Sequence, residues 1–212
     1  MTDKQRDWDE GGATTTYISL MHEIKRRHYT INAVALSPDK LMYKAVVIDH
    51  CYLQFRKILE LIAFATLSAA PKELPNPASE YHAVKVLRLI ERRHGNVYPR
   101  PVDQIRLDEE SHRFDEVTDH LTRDEFEQLY NFCGDVLHTR NPFRKPKSLD
   151  AAWEGIPKWV HKIRRLLQAH IPTIVGDPHM YLVQMGKEEA AAPTITKWAK
   201  LRDAPPAMSG QL

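Results

Sequence analysis

The sequence predicts a mainly α-helical protein, a helical bundle finished by a C-terminal β-hairpin. Three observations carry this. From Pro38 to Ala70, apolar or small residues recur at Leu41, Ala45, Ile48, Tyr52, Phe55, Leu59, Ile62, Thr66 and Ala69 in alternating steps of four and three, the period of a helix packed along its length. Thr122-Arg123-Asp124-Glu125 is a capping box that opens a second strongly periodic stretch. After residue 179 the helical period gives way to short runs rich in β-formers on either side of Gly186-Lys187.

A chain of 212 residues suffices for one domain with a sizeable core. Thirty Lys and Arg against 28 Asp and Glu leave a formal charge of +2, so no global field draws the protein to nucleic acid or membrane, and such binding has to come from local patches. Cys51 and Cys133 both fall within apolar helical patterns, where a thiol behaves as a small hydrophobe; reduced thiols and a cytoplasmic setting are expected. The start, MTDKQRDWDEGGATTT, is charged, and the apolar runs are broken by charges short of a bilayer span, which predicts no membrane association.

In chain order, residues 1–15 read as a polar, disordered arm and residues 16–202 as a single helical domain. Thr16 caps a first helix with Tyr17, Leu20, Met21, Ile24, His28 and Ile31 on one stripe, ending before Ser37-Pro38. Ser37 is expected to cap the long central helix, with Pro38 in its first position. A second apolar ridge, Val46, Leu53 and Phe64, leaves Asp49, Arg56 and Glu60 between two ridges, which predicts partial desolvation of all three. PKELPNPAS is a connection, and Ser79 opens a third helix that stops at Gly95 and carries a basic face, Lys85, Arg88, Arg92 and Arg93. Residues 96–117 lack a clean period and are expected to hold a short extended piece within a long loop.

The capping-box helix buries Phe126, Leu129, Tyr130, Cys133 and Leu137, while Asp124, Glu127, Asn131, Asp135 and His138 line its opposite stripe. Asn141-Pro142 ends it. A last helix is expected from about Pro157 to Ile171, with Trp159, Ile163, Leu166 and His170 inward and Lys158, Lys162, Arg164 and Arg165 outward. The hairpin follows at roughly 180–185 and 193–201, then a tail over 203–212.

Several chemistries find no signature. There is no Gly-rich phosphate loop ending in Lys-Ser/Thr, no Gly-x-Gly-x-x-Gly, no His-Glu-x-x-His and no Cys-x-x-Cys, so P-loop hydrolysis, a Rossmann cofactor and a zinc site of familiar spacing are not expected. No cofactor or metal is called for. Two constellations remain. In the first, Asp135 and His138 stand three apart on one helical face, so the carboxylate can orient the imidazole as an acid/base, with Arg140 just beyond to meet an anion; Asn131 and Asn141 flank them as substrate contacts. The plain alternative is a histidine complementing the helix dipole. A metal set of Asp124, Glu127, Asp135 and His138 is a third option. In the second, Arg56 and Glu60 pair one turn apart, either fixing how the central helix docks or reaching the His138 region to complete a site.

The pairing of FRKILELIAF with GDVLHTRNPF resembles the HEPN superfamily (higher eukaryotes and prokaryotes nucleotide-binding), in which an Arg/Lys-x-x-Leu-Glu helix packs against a helix carrying His near Gly-Asn or Arg-Asn. The resemblance spans about residues 38–170. It implies a helical bundle, often dimeric, associated with RNA, toxin–antitoxin pairs or phage defence, and a ribonuclease among its activities. This chain departs from the family's Arg-x4–6-His pattern at His138, which Asn131, Phe132 and Cys133 precede; Arg106 to His112 and Arg165 to His170 have the spacing instead. The rival expectation is a non-enzymatic module that dimerises or binds a partner protein.

Overall fold

The computed structural model describes residues 12–37, 43–70, 82–106, 112–138, 149–177 and 179–198. It is mainly helical: α1 (Ala13–Leu36), α2 (Lys44–Ser68), α3 (Ala83–His94), α4 (Arg123–Leu137) and α5 (Leu149–Leu167). An antiparallel sheet is built from β1 (Arg100–Arg106), β2 (His112–Glu116), β3 (Ala169–Ile171), β4 (Met180–Gln184) and β5 (Thr194–Trp198), in the order β2-β1-β3-β4-β5.

The central helix lies where its period places it. α2 packs against α1, α3, α4 and α5, and Ile48, Tyr52, Phe55, Leu59 and Ile62 are wholly buried in one core. The second ridge is a different matter. Val46 and Leu53 are 44% and 39% exposed, and Asp49 beside them is exposed too; four neighbouring helices already cover the other sides of α2, so nothing desolvates this strip. Arg56 and Glu60 alone of the three charges are half-buried. The helix boundaries also shift. Ser37 is the C-cap of α1, and Tyr43, in extended conformation, is the N-cap of α2. α1 begins at Ala13, which places Thr16 inside it. Pro38, Leu41, Ser79 and the connection between α2 and α3 lie outside the described residues, as do the first eleven residues and the tail.

α5 starts at Leu149, not Pro157, and Pro157 sits inside it. Gly155 explains how the helix passes over α2: a Cβ there would stand 3.0 Å from the Tyr52 hydroxyl, which donates to the Ala152 carbonyl at 2.9 Å. The predicted end of α5 is β3 instead. His170 is inward, as expected, but on a strand: it is fully buried, Tyr17 Oη donates to its Nε2 at 2.9 Å, and its Nδ1 donates to the Leu167 carbonyl at 3.0 Å. One donor and one acceptor describe a neutral imidazole, and burial holds its pKa down at about 4.

The C-terminal hairpin forms, Met180 opposite Trp198 and Gln184 opposite Thr194, but it is one edge of a larger sheet. The irregular 96–117 stretch supplies a second hairpin, with Val102 opposite Glu116 and Arg106 opposite His112. β3 joins the two, pairing with β1 at Arg100–Ile171 and with β4 at His170–Val183. Val183 and Ile195 pack on the helical core, whereas Val102, Ile171 and Leu182 form a small separate cluster with Phe114, Met180 and Trp198 on the other face. The Trp198 ring lies 4.9 Å from His112 and 5.8 Å from Phe114, so the sheet curls until its two outermost strands touch, as strong strand twist allows.

The turn after β4 is held from a distance. Lys25, buried on α1, donates from Nζ to the carbonyls of Met185, Glu188 and Ala191 at 2.6, 2.6 and 2.5 Å. Gly186 at φ +73° is needed there, because a Cβ would stand 2.8 Å from that of Ala191.

Candidate functional site

Thr122 caps α4 as predicted, its hydroxyl accepting from the Glu125 amide at 3.2 Å while the Glu125 carboxylate accepts from the Thr122 amide at 3.2 Å. This local device aims α4 across α2, and Arg56 meets it there. The Arg56 guanidinium donates from Nε to Glu60 at 3.2 Å and from Nη2 to the Tyr130 hydroxyl at 3.0 Å, with its Cζ 4.5 Å over the Tyr130 ring. A Cβ on Gly134 would lie 3.5 Å from Arg56 Nη1, so the guanidinium rests against α4 at a position with no side chain. Gly134 is one helical turn before His138. The His82 ring, at the N-cap of α3, is 5.1 Å from Tyr130. Burial raises the Tyr130 phenol above its ordinary pKa, with Arg56 acting against that rise.

The predicted residues divide accordingly. Arg56 and Glu60 are joined to each other and brought to α4. Asn131, Asp135 and His138 lie exposed along one stripe of α4, with His138 as its C-cap. Asp135 and His138 share that stripe, and no hydrogen bond of the His138 imidazole is seen among the described residues. Arg140 and Asn141 lie outside the described residues. Tyr130 and His82 join the cluster unforeseen: Tyr130 reads in sequence as a core residue, and only its hydroxyl hints at more, while no signal singles out His82.

Among the described residues no three His, Cys, Asp or Glu stand together to hold a metal ion, so Asp124, Glu127, Asp135 and His138 are not gathered. Glu127 is engaged by Arg88 and lies near Arg123. Of the alternative spacings, Arg106 and His112 are cross-strand partners, with His112 packed on Trp198, and His170 is sealed from substrate by burial. Cys51 and Cys133 are unpaired and buried, burial pushing their thiols up to about 11 and about 12; neither is a nucleophile at neutral pH. The basic faces are partly neutralised, Lys162 by Glu125 at 3.0 Å and Arg88 by Glu127. No helix among the described residues is long and apolar enough to cross a membrane.

The arrangement offers a half-buried guanidinium for a phosphate oxygen and exposed imidazoles for proton transfer. No protein-family model, curated protein or solved structure matches the chain.

Proposed function

We propose that this chain is an HEPN-like helical bundle that associates with RNA in a cytoplasmic bacterial defence or toxin–antitoxin setting. The RNA backbone meets the cluster of Arg56, Tyr130 and His82 and the exposed stripe of Asn131, Asp135 and His138. One observation carries the reading: Arg56, from α2, lies against α4 one turn before His138. It thereby stands in for the arginine that α4 lacks at the family's spacing before His138, where Asn131, Phe132 and Cys133 stand. In a ribonuclease the imidazole of His138 would move the proton and Arg56 would meet the charge developing on the phosphoryl oxygens, without a metal. The test incubates wild type, His138→Ala and Arg56→Gln with total bacterial RNA, reading cleavage on a denaturing gel and binding by fluorescence anisotropy. Loss of about tenfold or more in both variants is expected. Binding and cleavage unchanged in both would refute the site.

A second reading, a dimerisation module, is favoured by Leu36, Tyr43, Val46 and Leu53, which are 84%, 65%, 44% and 39% exposed. Val46 and Leu53 share one face of α2 by helical spacing, with Tyr43 at its N-cap, and the natural occupant of that face is the same face of a second copy. Sedimentation of wild type against Val46→Glu/Leu53→Glu decides it: a dimer that the pair dissociates supports this reading, and a monomer in both removes it.

A further inference from the structure

A pocket of about 160 Å³ lies between α1, α5 and the turn after β4, on elements that contribute nothing to the α2–α4 cluster. Its apolar lining comes from Ile24, Ile163, Leu167 and Met185, all buried core residues. Its polar lining is one-sided in charge. Arg164 and Lys187 border it, and neither has an ion-pair partner among the described residues. Asn32 and Gln168 complete the polar lining, their amide nitrogens facing His28 Nδ1 and the Gly186 carbonyl, each at 3.5 Å.

The wall behind these cations is also positive. Lys25 lines the pocket, and all three of its N–H groups go to backbone carbonyls. Its charge therefore meets no carboxylate in contact; Glu188 and Glu189 act on it only at longer range. His28, also in the lining, accepts nothing from its surroundings at Nε2, which donates to the Val160 carbonyl at 3.0 Å. Burial lowers its pKa, so the ring is a neutral wall at pH 7. A concavity with an apolar floor and unneutralised cations at its rim has the build of a site for an amphiphilic anion.

We propose that this pocket binds a small organic anion, a compact apolar body carrying one carboxylate or phosphate. The apolar body packs on Ile163, Leu167 and Met185, and the head group is met by Arg164 and Lys187. The volume sets the size: an apolar cavity of about 150 Å³ accommodates a benzene ring. A bare phosphate would leave the floor empty.

NMR titration of the full chain with benzoate, phenyl phosphate, inorganic phosphate and benzylamine tests this. Benzoate or phenyl phosphate should bind, and whichever binds more tightly names the head group. Inorganic phosphate and benzylamine should each bind at least about tenfold more weakly. Arg164→Gln/Lys187→Gln, both exposed and expected to leave the melting temperature unchanged, should weaken the aryl anion by about tenfold or more. Equal binding of benzylamine or of inorganic phosphate, an unaffected double variant, or no aryl-anion binding at about 10 mM would each overturn the assignment.

Discussion

Lowering the pH from 7 to 5 should destabilise the protein by about 2 kcal/mol through one side chain, His170. In the folded state the imidazole is fully buried, accepts from Tyr17 and donates to Leu167, and its pKa lies at about 4 against an ordinary 6.5. The unfolded chain therefore takes up a proton below pH 6.5 that the folded chain refuses, so stability falls as pH falls and the loss is complete near pH 4. At about 1.36 kcal/mol per pKa unit the whole gap amounts to about 3 kcal/mol, of which about 2 kcal/mol is lost by pH 5. Urea denaturation at pH 7, 6 and 5 measures it. The control is Tyr17→Phe/His170→Leu, which removes the hydroxyl and the imidazole together; the Leu167 carbonyl loses its donor, a cost that does not vary with pH. His28, whose pKa burial also lowers, contributes in the same direction in both proteins and cancels in the comparison. Wild type should lose about 2 kcal/mol more than the control between pH 7 and 5. Parallel pH profiles would refute the neutral buried imidazole.

Three further outcomes follow from particular contacts. Lys25→Met strands the carbonyls of Met185, Glu188 and Ala191 and should cost about 3 kcal/mol, with hydrogen-exchange protection lost first across 185–191; a cost below about 0.5 kcal/mol would mean that water replaces the ammonium freely. Gly155→Ala should destabilise by about 1 kcal/mol, because pressure on the Tyr52 hydroxyl outweighs the gain in helix propensity; in a Tyr52→Phe background the same change should stabilise, and a double-mutant cycle in chemical denaturation reads that reversal. Gly134→Ala makes only an ordinary contact with Arg56 and should preserve RNA binding, whereas Gly134→Leu should displace the guanidinium and weaken binding as Arg56→Gln does; equal binding by both Gly134 variants would detach Arg56 from RNA.

What the sequence determined by itself is what short-range physics governs. The capping box at Thr122 closes over three residues. The ridge from Ile48 to Ile62 is a period, and a helix with that period has only one face to bury. The Arg56–Glu60 pair is set by one turn of helix. The β4–β5 hairpin is a local pairing across a Gly-containing turn, and it too was legible.

Tertiary structure decided the rest, because the partners are remote in the chain. β1 acquires β3 some seventy residues later, and its own pattern, polar on one side and facing only a small cluster on the other, carries no strong alternation to betray it. Val46 and Leu53 look like core in a helical wheel, yet α2 has four neighbours already and this strip faces none of them. Tyr130 reads as core until Arg56, seventy-four residues away, claims its hydroxyl. Lys25 reads as a surface lysine on an amphipathic helix. It is buried because a turn more than 150 residues downstream aims three carbonyls at it, and no local pattern encodes where another segment's carbonyls will point.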